Sequence, residues 1–179
     1  PDTIAAAVAA GLTHFGRLDV LVNNAGFGTF GLFETASDDQ IRRQFEVNVF
    51  GLMAVTQAVL PHFRAQRSGV VVNVSSFGGR VAVPMGSLYN ASKFAVEGFS
   101  EALSYELAAV GVGVKLIEPG GVATNFGGSS ATVIQGNLPD YAPVTSTFRQ
   151  HYAQATGHLP RATADDVAQT IYQAATDGT

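Results

Sequence analysis

Three short apolar runs, Val20–Asn23, Val70–Val74 and Val112–Ile117, alternate with longer segments of helical periodicity, and this order limits the fold more than any other feature. Continuous apolar runs of that length suit strands buried on both faces, and strands that alternate with helices form parallel sheets covered by helices. The chain is therefore predicted to be an α/β protein. At 179 residues it is long enough for a single domain with one core.

The helical segments carry recognisable boundaries. Ile4 to about His14 is rich in Ala, with Ile4, Val8 and Leu12 on one face. Ser37-Asp-Asp-Gln40 reads as a capping box, in which the Ser37 hydroxyl accepts from a first-turn amide and Gln40 bonds back. A long helix from about Asp38 to Gln66 is expected there, with Ile41, Phe45, Asn48, Leu52, Val55, Val59 and Phe63 along one face and Pro61 loosening its last turns. A further helix is expected over about Leu88 to Val110, stopping near Gly111, and a last one after the cap Thr163-Ala-Asp-Asp166. The segment from Thr124 to Arg161 is rich in Gly, Ser and Pro. It allows a helix near Val144 to Ala155 and is read as a mobile substrate lid at about 124–161.

Composition excludes several functions. A net charge of −4 with scattered Lys and Arg argues against nucleic acid, which needs clustered cations. Without Cys there is no disulfide or thiolate chemistry. His14, His62, His151 and His158 never fall at ligand spacing, so no metal site is expected. No apolar stretch reaches the roughly 18 residues of a membrane span. A location in the cytoplasm is expected. Charged residues amount to only 13%, which leaves surface suited to another subunit.

Gly26-Phe-Gly28-Thr-Phe-Gly31 matches the GxGxxG pattern that brings backbone against a pyrophosphate. The next helix, however, is expected to start at Ser37, outside the Gly run. Glu46, the acidic residue about 20 positions on, sits on a helix instead of ending a second strand. The segment is read as a flexible turn.

Tyr89-Asn-Ala-Ser-Lys93 places a phenol and an ammonium one helical turn apart. A neighbouring cation favours the phenolate and brings a Tyr closer to acid/base work at neutral pH. The pair gains meaning from its surroundings. Asn23-Asn-Ala-Gly26, Ser75-Ser76 and Pro119-Gly120 each end an apolar run, and strand carboxyl ends are where open α/β sheets hold ligands. Asn48 interrupts an apolar helix stripe, so its amide serves a polar network or mends a helix distortion.

Together these residues resemble the short-chain dehydrogenase/reductase family, from about Ile4 to Ala175. The match rests on Asn23-Asn-Ala-Gly26, the helix Asn48, Ser76 with Tyr89-Asn-Ala-Ser-Lys93, and Pro119-Gly-Gly-Val-Ala-Thr124, in family order. Ser76 precedes Tyr89 by 13 residues, which selects it over Ser75. The resemblance implies a Rossmann-like, doubly wound parallel sheet of which three strands are recognisable. It also implies hydride exchange between NAD or NADP and a carbonyl compound or alcohol. Tyr89 would be the general acid/base, Lys93 would lower its pKa and hold the nicotinamide ribose, Ser76 would bind the substrate oxygen, and Asn48 would hold a relay water. Asn24, Ala25 and Gly26 would lie along the cofactor's adenosine side. Pro119, Gly120, Val122 and Thr124 would meet its carboxamide.

Family members carry a Gly-rich TGxxxGxG turn after their first strand, and none precedes Asn23 here. The expectation is a carboxy-terminal part of a longer protein, with Val20–Asn23 left as an apolar sheet edge. A truncated, non-catalytic family member that acts by association is the alternative, and a dehydratase or epimerase of the related extended family is a third. The two long helices imply a homodimer or homotetramer. Phe27, Phe30, Phe77, Val81, Val83 and Phe126, near the strand ends, favour an apolar substrate.

Overall fold

A computed structural model describes residues 2–136, 138–156 and 160–178. The elements run in the order α1 (Asp2–Phe15), β1 (Val20–Asn23), β2 (Gly28–Phe30), α2 (Asp38–Phe45), α3 (Leu52–Gln66), β3 (Gly69–Val74), α4 (Ser87–Ala108), β4 (Val112–Ile117), β5 (Val122–Ala123), α5 (Phe126–Ser129), β6 (Ala131–Val133), α6 (Ala142–Thr156), β7 (Ala162–Thr163) and α7 (Ala164–Thr176). The three apolar runs form one parallel sheet in the order β1-β3-β4. Of the expected lid, positions 137 and 157–159, His158 among them, lie outside the described residues.

Val71 joins Val59 and Phe63 of α3 and Leu103 and Leu107 of α4 in the core. Adjacent residues of a strand point to opposite faces, so Val72, equally buried, looks the other way, where α7 packs on β3 and β4. The sheet is thus wound on both sides, as expected. β1 departs from expectation. Leu21 and Asn23 face the core, but Val20 and Val22 are 37% and 42% exposed because α1 packs against α3 and leaves that face of β1 open. With β3 on one side alone, β1 is the apolar edge the sequence foretold.

The expected helix from Asp38 to Gln66 is three pieces. Ser37 caps α2 with both halves of the capping box formed. Between α2 and α3, a π-helical turn over Glu46–Gly51 inserts extra backbone and rotates the buried face. The buried positions are accordingly Gln44, Asn48, Val49, Leu52, Thr56, Val59 and Phe63, while Ile41, Phe45 and Val55 are half-buried. Pro61 sits inside α3, which continues to Gln66 and ends at Arg67 in the left-handed region.

Two short parallel ladders involve described residues after β4. β5 pairs with β7, and β6 pairs in parallel with β2. Thr163 caps α7 through a box with Asp166. Phe63 is the largest side chain with no exposure at all. Phe63→Ala should therefore cost about 3–5 kcal/mol of unfolding free energy, read from urea denaturation.

Candidate functional site

The site is assembled at the carboxyl ends of the central sheet, and a buried polar chain sets those ends in register. Asn23 donates from Nδ2 to Thr56 Oγ1 and to Asn73 Oδ1, each at 2.9 Å. Asn73 Nδ2 donates to Ser100 Oγ at 2.8 Å. Both hydroxyls then donate into their own helices, Thr56 to the Leu52 carbonyl and Ser100 to the Val96 carbonyl. Asn23, Thr56, Asn73 and Ser100 thus satisfy one another and their helices, which offsets the cost of burying them. Just beyond it, the Ser75 amide donates to the Ile117 carbonyl and the Phe77 amide to the Pro119 carbonyl, joining the ends of β3 and β4.

α4 begins beside these ends and carries Tyr89 and Lys93 on one face. Lys93 is 7% exposed, and its Nζ donates to the Val74 carbonyl at 2.9 Å. Burial pushes the ammonium down to about 8, and Glu97 works against that fall. The Tyr89 ring lies 5.1 Å from Phe30 and 6.2 Å from Phe126 between centroids, with Lys93 Nζ 5.9 Å from its own centroid. Burial raises the phenol above its usual range, and a hydrogen bond with Ser76 opposes the rise. In this structure Ser76, not Lys93, is therefore the group that pulls the Tyr89 pKa downward. The phenol is held protonated at neutral pH. Ser76 Oγ also accepts from the Gly78 amide at 3.0 Å, which fixes its rotamer.

Gly26–Phe30 forms one wall of the site. Asn48 grips Phe27 with both ends of its amide: Oδ1 accepts from the Phe27 N–H at 3.0 Å, and Nδ2 donates to the Phe27 carbonyl at 2.8 Å. Gln44, one turn earlier and wholly buried, repeats the arrangement. Its Oε1 accepts from the Thr29 N–H at 2.8 Å, and its Nε2 donates to the Phe27 carbonyl at 3.0 Å. Both amides also donate to Ser92 Oγ, and Ser92 donates to the Tyr89 carbonyl. The wall is thus tied to the helix of Tyr89 and Lys93.

These bonds correct the reading of the Gly run. Gly28–Phe30 is a strand paired with β6, so the run is neither a flexible turn nor the start of a helix. The glycines allow close approach. A Cβ on Gly26 would stand 3.7 Å from Lys93 Nζ, and one on Gly28 would stand 2.4 Å from the Phe30 ring and 3.2 Å from Tyr89.

The remaining candidates fall into two groups. Asn24 and Ala25 are exposed at the end of β1, beside Gly26. Pro119 and Gly120 follow β4, and a Cβ on Gly120 would meet nothing within 4 Å. Val122 belongs to the β5–β7 ladder, which is separate from the main sheet. Thr124 donates its amide to the Val122 carbonyl and accepts from the Phe126 amide, and Phe126 leans on Tyr89. Among the apolar candidates, Phe30 and Phe126 meet Tyr89. Phe27 instead lies under the Arg43 guanidinium at 5.6 Å, and Phe77 and Val81 are exposed.

Sequence reasoning missed Asn73, Gln44 and Ser92. The signal for Asn73 was present, since Val20-Leu-Val-Asn23 and Val70-Val-Val-Asn73 end alike and pair in register. Gln44 could have been found as the polar residue one turn before Asn48 on the same buried stripe.

A phenol, a hydroxyl and a buried ammonium meet at the carboxyl ends of a parallel sheet in a Rossmann-like α/β fold. The short chain dehydrogenase family matches residues 1–134, and the chain belongs to that family. It is 42% identical over 177 residues to an uncharacterized oxidoreductase of Schizosaccharomyces pombe, covering 98% of this chain and 73% of that protein. A short-chain dehydrogenase from Streptomyces avermitilis superposes with a TM-score of 0.83 at 38% identity, covering 96% of this chain and 61% of that one. ElxO with NADP bound superposes at 0.79 with 25% identity, covering 98% of this chain and 67% of that one. The chain thus spans roughly three fifths to three quarters of these relatives. The bound NADP in the ElxO structure is ElxO's own ligand.

Gln44→Leu would strand the Thr29 N–H and remove a partner of the Phe27 carbonyl and Ser92. A loss of about 1–3 kcal/mol in unfolding free energy is expected, with faster hydrogen exchange at the Thr29 amide.

Proposed function

We propose that the protein interconverts a carbonyl compound and an alcohol, with Tyr89 as the proton-transfer residue. The observation that carries this is the convergence of Ser76 and Lys93 on one half-buried phenol at the sheet edge. The nicotinamide, when bound, supplies the hydride acceptor or donor. In reduction, Tyr89 gives its proton to the carbonyl oxygen, a direction suited to a phenol kept protonated by burial. Ser76, held by the Gly78 amide, orients that oxygen and stabilises the charge growing on it.

Lys93 and the space above Gly26 fit the nicotinamide ribose: one ammonium proton is used on Val74, and Gly26 has no side chain to obstruct the approach. Asn24, Ala25, Pro119, Gly120, Val122 and Thr124 complete the cofactor contacts in this reading. Asn48 holds the Phe27 wall. Its Oδ1 lies 3.3 Å and Lys93 Nζ 3.7 Å from the same point over Gly26, which supports a water joining the two in a proton relay.

The rings of Phe30 and Phe126 against Tyr89 favour a substrate with an apolar flank. The segment 124–161, which brings Phe126 to the site, acts as the substrate cover. Val47, Phe50, Phe94 and Tyr105 are exposed on the π turn and α4, which supports a homodimer or homotetramer through these helices. Among the described residues no helix is long and apolar enough to cross a membrane. The Cys-free composition suits the reducing cytoplasm.

Tyr89→Phe should reduce turnover by at least about 100-fold, the lower range for a lost general acid, while NADPH or NADH still quenches protein fluorescence. Normal turnover by that variant would sink the assignment. Failure of the unaltered chain to bind either cofactor would favour the associating, non-catalytic alternative. Because the Lys93 ammonium is lost as pH rises through about 8, cofactor affinity should fall across that range and level off below it, measurable by titration at successive pH values. Sedimentation at micromolar concentration should show a dimer or larger.

A further inference from the structure

Glu97 is buried where a helix surface would ordinarily put a carboxylate in water. It follows Lys93 by one turn of α4 and is 6% exposed. Neither of its oxygens has a hydrogen-bond partner of good geometry, and the Ser75 hydroxyl beside it is likewise buried and unpaired. Gly79 closes over both: a Cβ there would stand 2.7 Å from Ser75 Oγ and 2.9 Å from Glu97 Oε1. The nearest cation is Arg80, whose Nε is 3.4 Å from Glu97 Oε2 and 2.9 Å from Glu118 Oε1, with Glu101 further out. Burial pushes the Glu97 carboxyl up, and the neighbouring Glu118 adds to the rise, while the Ser75 hydroxyl and Arg80 pull it back. A buried carboxylate whose cation is a half-exposed Arg at 3.4 Å is costly to keep charged, and packing alone would have been served by an apolar side chain.

Lys93 Nζ has uncharged neighbours: it donates to the Val74 carbonyl, stands 5.9 Å from the Tyr89 ring centroid and lies 3.7 Å from where a Cβ on Gly26 would be. Among the described residues, Glu97 is the charged group that acts on it. We infer that Glu97 is a positioning residue for Lys93: across one helical turn in a buried setting, its carboxylate keeps the amine in the ammonium form that the site uses. Arg80 and Glu118 extend this from Lys93 through Glu97 to the surface beside the Ser76 turn. The functional meaning rests on the proposed role of Lys93, but the effect itself can be read without turnover.

The chain's lysines are Lys93 and Lys115, so lysine-selective 13Cε labelling of the full chain isolates the signal, with Lys115→Arg assigning the other resonance. The Lys93 midpoint should lie near 8 in the unaltered chain and about one pH unit lower in Glu97→Gln, the effect of removing a neighbouring opposite charge. Equal midpoints would overturn the inference. If Glu97→Gln does not fold, the unaltered chain decides. Its Lys93 signal must show a second inflection at the pH where glutamate-labelled Glu97 titrates, and a single-step curve refutes the coupling. Retained turnover in Tyr89→Phe would remove the oxidoreductase reading without touching these midpoints, so the two failures are distinguishable.

Discussion

The rest of the structure depends on the hydrogen-bonded pairing of Asn23 with Asn73 at the carboxyl end of the sheet. Two amides buried in a layer of Val, Leu and Phe must satisfy each other or lose about 1–3 kcal/mol apiece. Only the register that places Asn23 beside Asn73 does so, with Thr56 and Ser100 completing the chain from α3 and α4. An apolar pair would tolerate sliding by two residues; this pair does not. The strand ends are thereby level, and Asn24, Ser75, Ser76 and Pro119 emerge along one edge.

Charge at that edge is governed by burial more than by pairing. Tyr89 and Lys93 both lose water, and each is shifted toward its neutral form, the phenol upward and the ammonium down to about 8. The groups that oppose these shifts are different ones, Ser76 for the phenol and Glu97 for the ammonium. Two proton-bearing groups one turn apart are thus tuned by different neighbours. The clamp of Gln44 and Asn48 on Phe27 adds rigidity, because it ties the facing wall through Ser92 to the backbone of Tyr89.

Much of the fold was legible in the sequence because its signals are local. The Ser37 capping box and the Thr163 cap formed as read, and Val112–Ile117 is β4 to the residue. Local signals failed where distant partners decide. The Gly26–Gly31 run became a strand because Ala131–Val133 lies alongside it, a pairing of residues 103 positions apart, from Gly28 to Ala131, that no window of sequence contains. The π turn at Asn48 was equally hidden, since the stripe from Ile41 to Phe63 fits an uninterrupted helix about as well as one with an added residue. The open face of β1 followed from where α1 packs, which hydrophobicity does not report.

By itself, then, the sequence determined the layers and the chemistry on offer: apolar runs make strands, helical periodicity makes covering helices, and Tyr89 with Lys93 one turn apart makes a phenol beside an ammonium. Spacing sufficed because side chains on one helix keep fixed relations. Tertiary structure alone decided the state of those groups. How deeply Lys93 is buried, whether Ser76 reaches Tyr89, and that Glu97 faces inward under Gly79 all depend on packing between elements far apart in the chain. Electrostatic energies in a dry interior follow such distances and not residue order.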